Sequence, residues 1–306
     1  INDVSFSSFD ILSLNGFQNT FNVNLKNVNS VGKNVSNYKS SPKVELSSIF
    51  NFYSKYPLQK IAGTKKNILT PKLLLGFNPG DMKDNSTSKK TINVNNIFST
   101  NRLGMSNTFE AGKSATLGID YKKELITDVN KFFELKLATV FRDKNENFIP
   151  QNTTLNKKQS NIFGSIKNNF SEKFSLGYNF AVKQNFDQIE YNNINATFSL
   201  NNFVTSFSFT EERGEMGNQN LISNNTTFNF DDKNSLSFNT RINRKINLTE
   251  FYNLVYEYKN DCLTAGIYFN KTYYEDKDLK PTENLLFTVT LFPLTTFEQK
   301  VDESLY

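Results

Sequence analysis

Apolar and polar residues alternate along this chain with a period of two. From Phe174, the positions Phe174, Leu176, Tyr178, Phe180 and Val182 interleave with Ser175, Gly177, Asn179, Ala181 and Lys183. Leu236, Phe238, Thr240 and Ile242 interleave in the same way with Ser237, Asn239, Arg241 and Asn243, and Leu263, Ala265, Ile267 and Phe269 with Thr264, Gly266, Tyr268 and Asn270. A residue turned by 180° at each step puts one set on each face of a strand. The apolar positions are filled by the aromatic and β-branched side chains that suit a pleated surface. Helical spacing is not sustained anywhere, so the chain is predicted to be all-β.

The alternation marks about fourteen strands. They cover 20–28, 44–56, 72–78, 109–123, 131–142, 160–170, 174–185, 188–201, 203–213, 219–230, 235–243, 250–258, 262–274 and 284–293. Most exceed the five or six residues common in soluble sheets and approach the roughly 9–11 that cross a bilayer at a tilt. No repeat with a fixed period of roughly 20–50 residues is visible, which counts against propellers and solenoids. The connections alternate. Ser171-Glu172-Lys173, Asn202, Asp231 to Asn234 and Lys259-Asn260-Asp261 are tight, whereas 143–159, Gly214 to Gly217 with its flanks, 243–249 and 274–283 are longer. Asn185 to Asp187 is the one compressed exception. In an up-and-down sheet, alternate connections lie at opposite ends, so one end carries turns and the other loops, as in outer-membrane barrels. The predicted fold is an antiparallel up-and-down transmembrane β-barrel, present in part.

Composition narrows the function. The 306 residues are 37% hydrophobic and 14% aromatic, too aromatic for a disordered chain. Asparagine supplies 46 positions, which makes the strands' second face polar without making it highly charged. Net charge is +5 and is spread along the chain without a basic block, so nucleic acid is not an expected partner. With no His and one Cys, the chain lacks the base of Ser-His-Asp and Cys-His catalysis, His-ligated metal sites and any internal disulfide. No catalytic residue, metal or cofactor is predicted. No apolar run reaches transmembrane-helix length. Acidic stretches such as 211–215 and 275–278 do not match an EF-hand and read as solvated loops. Gly214-Glu215-Met216-Gly217 is followed by no helix and is not a phosphate loop.

Alternation alone does not say which face is inward. A soluble barrel turns its apolar face in, and a membrane barrel turns it out. The Asn, Ser, Thr and Gly of the polar faces suit a water-filled interior better than a soluble surface, which carries more Lys and Glu. Lys136, Lys167, Lys183 and Arg241 fall on these polar faces. They are candidates to line a lumen and meet anionic phosphates, or simply to wet it.

Two stretches resemble a known family. The first runs through Leu69-Thr70-Pro71-Lys72, Asn96-Ile97-Phe98, Asn101-Arg102 and Phe109-Glu110-Ala111-Gly112 to Leu117-Gly118-Ile119-Asp120-Tyr121. The second runs from Tyr252-Asn253-Leu254-Val255-Tyr256-Glu257-Tyr258 through Asn260-Asp261-Cys262-Leu263-Thr264 and 276–282 to Phe287-Thr288-Val289-Thr290-Leu291. Together they resemble the C-terminal barrel of the LPS-assembly (LptD/OstA/Imp) family, over most of the chain from about residue 44.

That resemblance implies an outer-membrane, Gram-negative location and transport of lipopolysaccharide through a barrel lumen and a lateral gate. It implies as partners lipopolysaccharide, an LptE-type plug lipoprotein, a periplasmic lipopolysaccharide bridge acting through an N-terminal domain, and the outer-membrane insertion machinery. It also implies that 1–293 is the C-terminal part of the barrel, about half of it, with 294–306 a periplasmic tail. Family members commonly carry two adjacent cysteines near this point; here Leu263 follows Cys262, leaving Cys262 as the single candidate for a disulfide to the N-terminal domain. Read without the resemblance, Cys262 is a small buried hydrophobe. Phe287, Val289, Leu291 and Pro293 are the candidates for the gate strand, because Pro293 lacks an N–H and weakens pairing. A porin-like passive channel is the alternative, and a soluble β-sandwich and an outer-membrane phospholipase-type enzyme are further ones; the enzyme would lack a His base.

Overall fold

The computed structural model describes residues 1–32, 41, 43–274, 280–292 and 295–301. Among these lie β1 (Asn2–Ser7), β2 (Ile11–Leu12), β3 (Gln18–Ser30), β4 (Lys43–Lys55), β5 (Leu58–Ala62), β6 (Lys65–Asn78), β7 (Gly112–Leu125), β8 (Phe132–Arg142) and β9 (Ile162–Ser171). They continue as β10 (Phe174–Val182), β11 (Ile189–Leu200), β12 (Phe203–Glu212), β13 (Gln219–Asn229), β14 (Asn234–Asn243), β15 (Leu248–Lys259), β16 (Leu263–Thr272), β17 (Thr282–Leu291) and β18 (Thr295–Val301). Gln151–Thr153 form a short 3-10 turn. The fold is all-β, antiparallel and up-and-down, as the alternation predicts.

The differences from the predicted strands have local causes. β1 and β2 share one partner, β3, and each is too short to announce a period. β4 and β5 likewise share β6, and the break between them falls at Tyr56-Pro57, where proline has no N–H to give a ladder. The strand predicted over 109–123 begins at Gly112, because Phe109 to Ala111 belong to the segment before it.

One correction concerns the end of the chain. Residues 295–301, expected to lie in a tail, form β18 and pair with β17 from Leu285↔Val301 to Leu291↔Thr295. Phe287, Val289 and Leu291 therefore sit on a strand flanked on both sides, by β16 and β18, rather than on a terminal one. The period-two sequence Thr295, Phe297, Gln299, Val301 against Thr296, Glu298, Lys300 explains the extra strand. Pro293, the acidic stretch 275–278 and residues 302–306 lie outside the described residues.

The chain divides into two compact units. The first comprises 1–166, 179–191 and 213–217; the second comprises 167–178, 192–212 and 218–306. In the first unit the burial of the two strand faces is inverted relative to a soluble protein. On β7, Thr116 is 0% and Glu124 9% exposed, whereas Leu117 is 47% and Ile119 36% exposed. Register carries the same division across the sheet: Leu117 pairs with Leu73 of β6 and Thr139 of β8, and Ile119 with Pro71 and Leu137. Leu75, Phe77, Phe50 and Phe141 continue the exposed apolar face. A soluble sheet would bury these side chains, at roughly 1.5–3 kcal/mol each.

The opposite face of this unit is covered. Residues 79–111, between β6 and β7, and 143–161, between β8 and β9, pack on it around Met82, Ile92, Val94, Ile97, Leu103, Met105, Ile149 and Leu155. Ala138, Val140, Phe163 and Ala181 contribute from the strands. In the second unit, β12 to β17 keep the same two-faced pattern. Leu254, Ile267, Phe287 and Val289 share the exposed apolar face, and the other carries asparagine, serine and threonine together with Val255, Glu257, Tyr268 and Leu286.

Candidate functional site

Segment 79–111 is shaped by asparagine side chains that replace a regular backbone ladder. Asn93 Oδ1 accepts the N–H of Asn95 at 2.9 Å, and the N–H of Asn93 donates to Asn96 Oδ1 at 2.8 Å. Asn96 Nδ2 donates to the carbonyl of Thr91 at 2.8 Å. Such local side-chain bonds favour turns over strands or helices. The neighbouring segment clasps this one: Asn152 Nδ2 donates to the Lys90 carbonyl at 2.8 Å and Asn152 Oδ1 accepts the Lys90 N–H at 3.2 Å. Lys83 anchors the segment to Glu45 of β4 at 2.6 Å.

A buried three-charge cluster fixes the segment's end to the sheet. The Glu110 carboxylate accepts from Arg102 Nε at 2.7 Å, again from Arg102 Nη2, and from Arg142 Nη2 of β8. Arg102 Nη1 also donates to Thr116 Oγ1 at 2.7 Å and to the Ile97 carbonyl at 3.3 Å, and Arg142 Nη1 to the Ala111 carbonyl at 2.8 Å. Both guanidiniums are thus shared between a carboxylate and segment carbonyls, the forked geometry that Arg supplies and Lys does not. Burial raises the pKa of the Glu110 carboxyl, but the charges of Arg102 and Arg142 and their hydrogen bonds outweigh it and hold it below the ordinary carboxylate range. Gly112, at φ +76°, turns the chain from this cluster into β7. A Cβ there would fall 2.6 Å from Glu146 Oε1 as well as straining the backbone.

Farther along the same face, Phe98 from the segment lies on the glycine of β7. A Cβ on Gly118 would sit 2.6 Å from Phe98 Cζ and 2.9 Å from the Leu137 carbonyl oxygen. Lys72 Nζ stands 5.4 Å from the Phe98 ring centre, and the Tyr53 ring meets it at 5.9 Å in a tilted arrangement. Lys72 pairs with Asp120, Lys66 with Glu124 at 3.4 Å, Lys122 with Glu124 at 2.6 Å, and Lys136 with Glu134 at 2.9 Å. These charges share the polar face of β6, β7 and β8, forming a belt beside the aromatic wedge.

The cations nominated from sequence do not converge: Lys136 and Arg241 sit on polar strand faces and Lys183 lies just past the end of β10. Lys136 belongs to the belt. Lys183 lies 3.0 Å from Gln188 Oε1 and 3.6 Å from the buried Glu190, which also accepts from Asn161 Nδ2 at 2.7 Å. Arg241 pairs with Glu250 and lies 5.2 Å from the Phe251 ring centre. Lys167 is exposed on β9. Cys262 is an exposed free thiol in the turn between β15 and β16, not a buried hydrophobe; its N–H donates to Asn260 Oδ1 at 3.0 Å. The Glu110 cluster was not anticipated as an ion cluster, although Arg102 and Glu110 stand in the stretch that carries the family resemblance. On the apolar face, an open groove of about 590 Å³ runs past Leu75, Phe77, Ala115 and Phe141, with Lys113 at its edge.

No protein-family profile matches the chain, and no curated protein does. Among solved structures, it is similar to a mutant of the ferric enterobactin receptor of Pseudomonas aeruginosa at 7% identity and a TM-score of 0.48, over 94% of this chain and 54% of the receptor. It is similar to a mutant porin of Rh. blastica at 11% identity and a TM-score of 0.38, over 90% of this chain and 89% of the porin. The ferric-catecholate import receptor Fiu of E. coli aligns at 11% identity and a TM-score of 0.40, over 94% and 54% of the two chains. The chain therefore spans about half the length of the receptors it matches.

Proposed function

We propose that this chain is part of a β-barrel transport protein of the Gram-negative outer membrane, and that its cargo is lipopolysaccharide. The observation that carries the membrane reading is the inverted burial: Leu117 and Ile119 face out while Thr116 and Glu124 of the same strand are buried. A contiguous apolar face of that kind is unfavourable in water and suits hydrocarbon. Strands also satisfy the rule that backbone groups in lipid must be hydrogen-bonded within the protein.

The cargo is inferred from the residues that carry the family resemblance. Ile97, Phe98, Arg102, Glu110, Gly112 and Gly118 are those that press segment 79–111 onto the polar face. A carrier of an amphiphile needs an aqueous route for the sugar-phosphate head and a route in lipid for the acyl chains. The two faces supply surfaces of those two kinds, and the groove beside Phe77 and Phe141 offers apolar lining on the outer one. A plug lipoprotein working with this chain would meet segment 79–111 in the first unit rather than bare strands. Cys262, exposed at the turn end, would be accessible to a partner domain there.

The test is a photo-crosslinking pair in cells, with a benzoyl-phenylalanine at Lys136 on the polar face and at Leu117 on the apolar face. Lipopolysaccharide adducts at position 136 are expected. Phospholipid adducts at 117 with none of lipopolysaccharide at 136 would leave a membrane channel and reject the cargo. A porin-like channel would instead show ion conductance in planar bilayers without lipopolysaccharide capture.

A further inference from the structure

The register of the second unit places amides opposite one another in an unbroken row. Ser206 of β12 pairs with Asn225, Asn225 with Asn239, Asn239 with Asn253, Asn253 with Asn270, and Asn270 with Asn284 of β17. Directly opposed residues share a face, so six side chains line up across six neighbouring strands on the polar side. At a strand spacing of about 4.8 Å, the row extends roughly 24 Å. Part of it floors a recess of about 400 Å³ whose walls include Ser223 and Phe251. Asn253 Oδ1 is shut away from water and has no hydrogen-bond partner within the protein. A buried polar atom in that condition is costly, and a small opening of the row would let a ligand hydroxyl or an ordered water partner it.

We propose that this row is a binding track for uncharged sugars. Each asparagine offers two donors and an acceptor, which matches a hydroxyl that both donates and accepts. The six side chains of the row carry no charge, and Arg241 beside them is paired with Glu250, unlike the dense Lys and Glu belt of the first unit. Phe251, with Arg241 against its ring, lends the recess an aromatic surface for the C–H face of a pyranose. Regular spacing across strands suits a ligand of repeating units laid across them. The inference rests on the transport reading for its biological source: a glycan attached to the lipid cargo, or a free oligosaccharide passing through.

The 306 residues contain no tryptophan, so Phe251→Trp places one tryptophan, excited selectively over the thirteen tyrosines, in the recess wall. The variant is purified in a sugar-free amine-oxide detergent, its fold is checked by heat-modifiable migration, and it is titrated with maltoheptaose. Parallel titrations use smooth lipopolysaccharide and a deep-rough form lacking the neutral sugars. A saturable emission shift with maltoheptaose or smooth lipopolysaccharide, absent with the deep-rough form, is expected. Adding Asn239→Ala and Asn253→Ala should weaken it at least tenfold. A response to free heptaose equal to that to smooth lipopolysaccharide assigns the track to sugars in general; a response to lipopolysaccharide alone assigns it to the cargo's glycan. A folded protein whose emission ignores both glycans, or responds equally after the asparagines are removed, overturns the track. The titration is done in detergent, so failure to insert into vesicles would count against the membrane reading alone.

Discussion

The two units use their polar faces differently. In the first unit the face is charged and covered: Lys72, Asp120, Lys122, Glu124, Glu134 and Lys136 form ion pairs on the strands, and segment 79–111 closes over the same face with a buried core of its own. In the second unit the corresponding face is mostly amide and hydroxyl, with Arg241 and Glu257 among them, and among the described residues every buried hydrophobic side chain belongs to the first unit. The strands of both share one pattern of period two. What differs is the connection, since a segment of more than thirty residues carries enough apolar side chains to pack and a three-residue turn does not. The covered face is fixed by charge and an aromatic wedge; the other is lined mainly by neutral hydrogen-bonding side chains.

The largest effect should come from breaking the lock in the covered unit. Glu110→Ala leaves two buried guanidiniums without their carboxylate, and removal of one partner from a buried cluster costs about 3–5 kcal/mol. Limited trypsinolysis is expected to cut at Lys83, Lys89 or Lys90 in the variant and not in the parent, with a lowered unfolding temperature. Unchanged protection would mean that the apolar core alone holds the segment. Next comes a charge placed on the outward face. Leu117→Arg should cost roughly 2–4 kcal/mol in lipid vesicles if it lies near the bilayer midplane, whereas Asn239→Arg in the second unit should cost less than about 1 kcal/mol. Equal costs by reversible urea unfolding would erase the distinction between faces.

A smaller effect is expected from Gly118→Val. Phe98 can swing away from the new Cβ, but the Leu137 carbonyl oxygen cannot, and overpacking of this kind costs about 1–3 kcal/mol. The variant should lose protection of segment 79–111 without changing the second unit, as read by hydrogen exchange. The smallest effect concerns pH. Because the folded Glu110 carboxyl titrates below its unfolded value, its contribution is complete above about pH 4.3 and fades as pH falls through the folded value. Trypsin-independent labelling of the segment should therefore rise only in acid, and Glu110→Gln should flatten that dependence.

The strands of both units were legible in the sequence because period two is written in Phe, Leu, Ile and Val over nine or more residues. β13 to β17 begin and end within two residues of the predicted positions. β1, β2, β5 and β18 were missed because each is seven residues or fewer, and β18 alternates Thr, Phe and Gln with charged side chains. Segment 79–111 was illegible for another reason. Ile92, Val94, Ile97, Leu103 and Met105 follow neither a period of two nor of 3.6, since asparagine turns, not a regular ladder, direct them to the core. Of the sites, the polar-face positions of Lys136 and Arg241 followed from parity alone, whereas Lys183 falls just past the end of β10. Glu134 shares the face of Lys136 two residues away on β8, but that Lys183 meets Glu190 and Arg241 meets Glu250 required the structure.

The most direct measurement concerns two adjacent residues of β15. In a Cys262→Ser background, a nitroxide is attached through Leu254→Cys or Asn253→Cys, and the protein is placed in lipid vesicles. The label at 254 should be relaxed strongly by oxygen and weakly by a water-soluble nickel chelate, and the label at 253 the reverse. If 254 meets the chelate and 253 is shielded from it, the greasy face is not in lipid and the membrane reading fails.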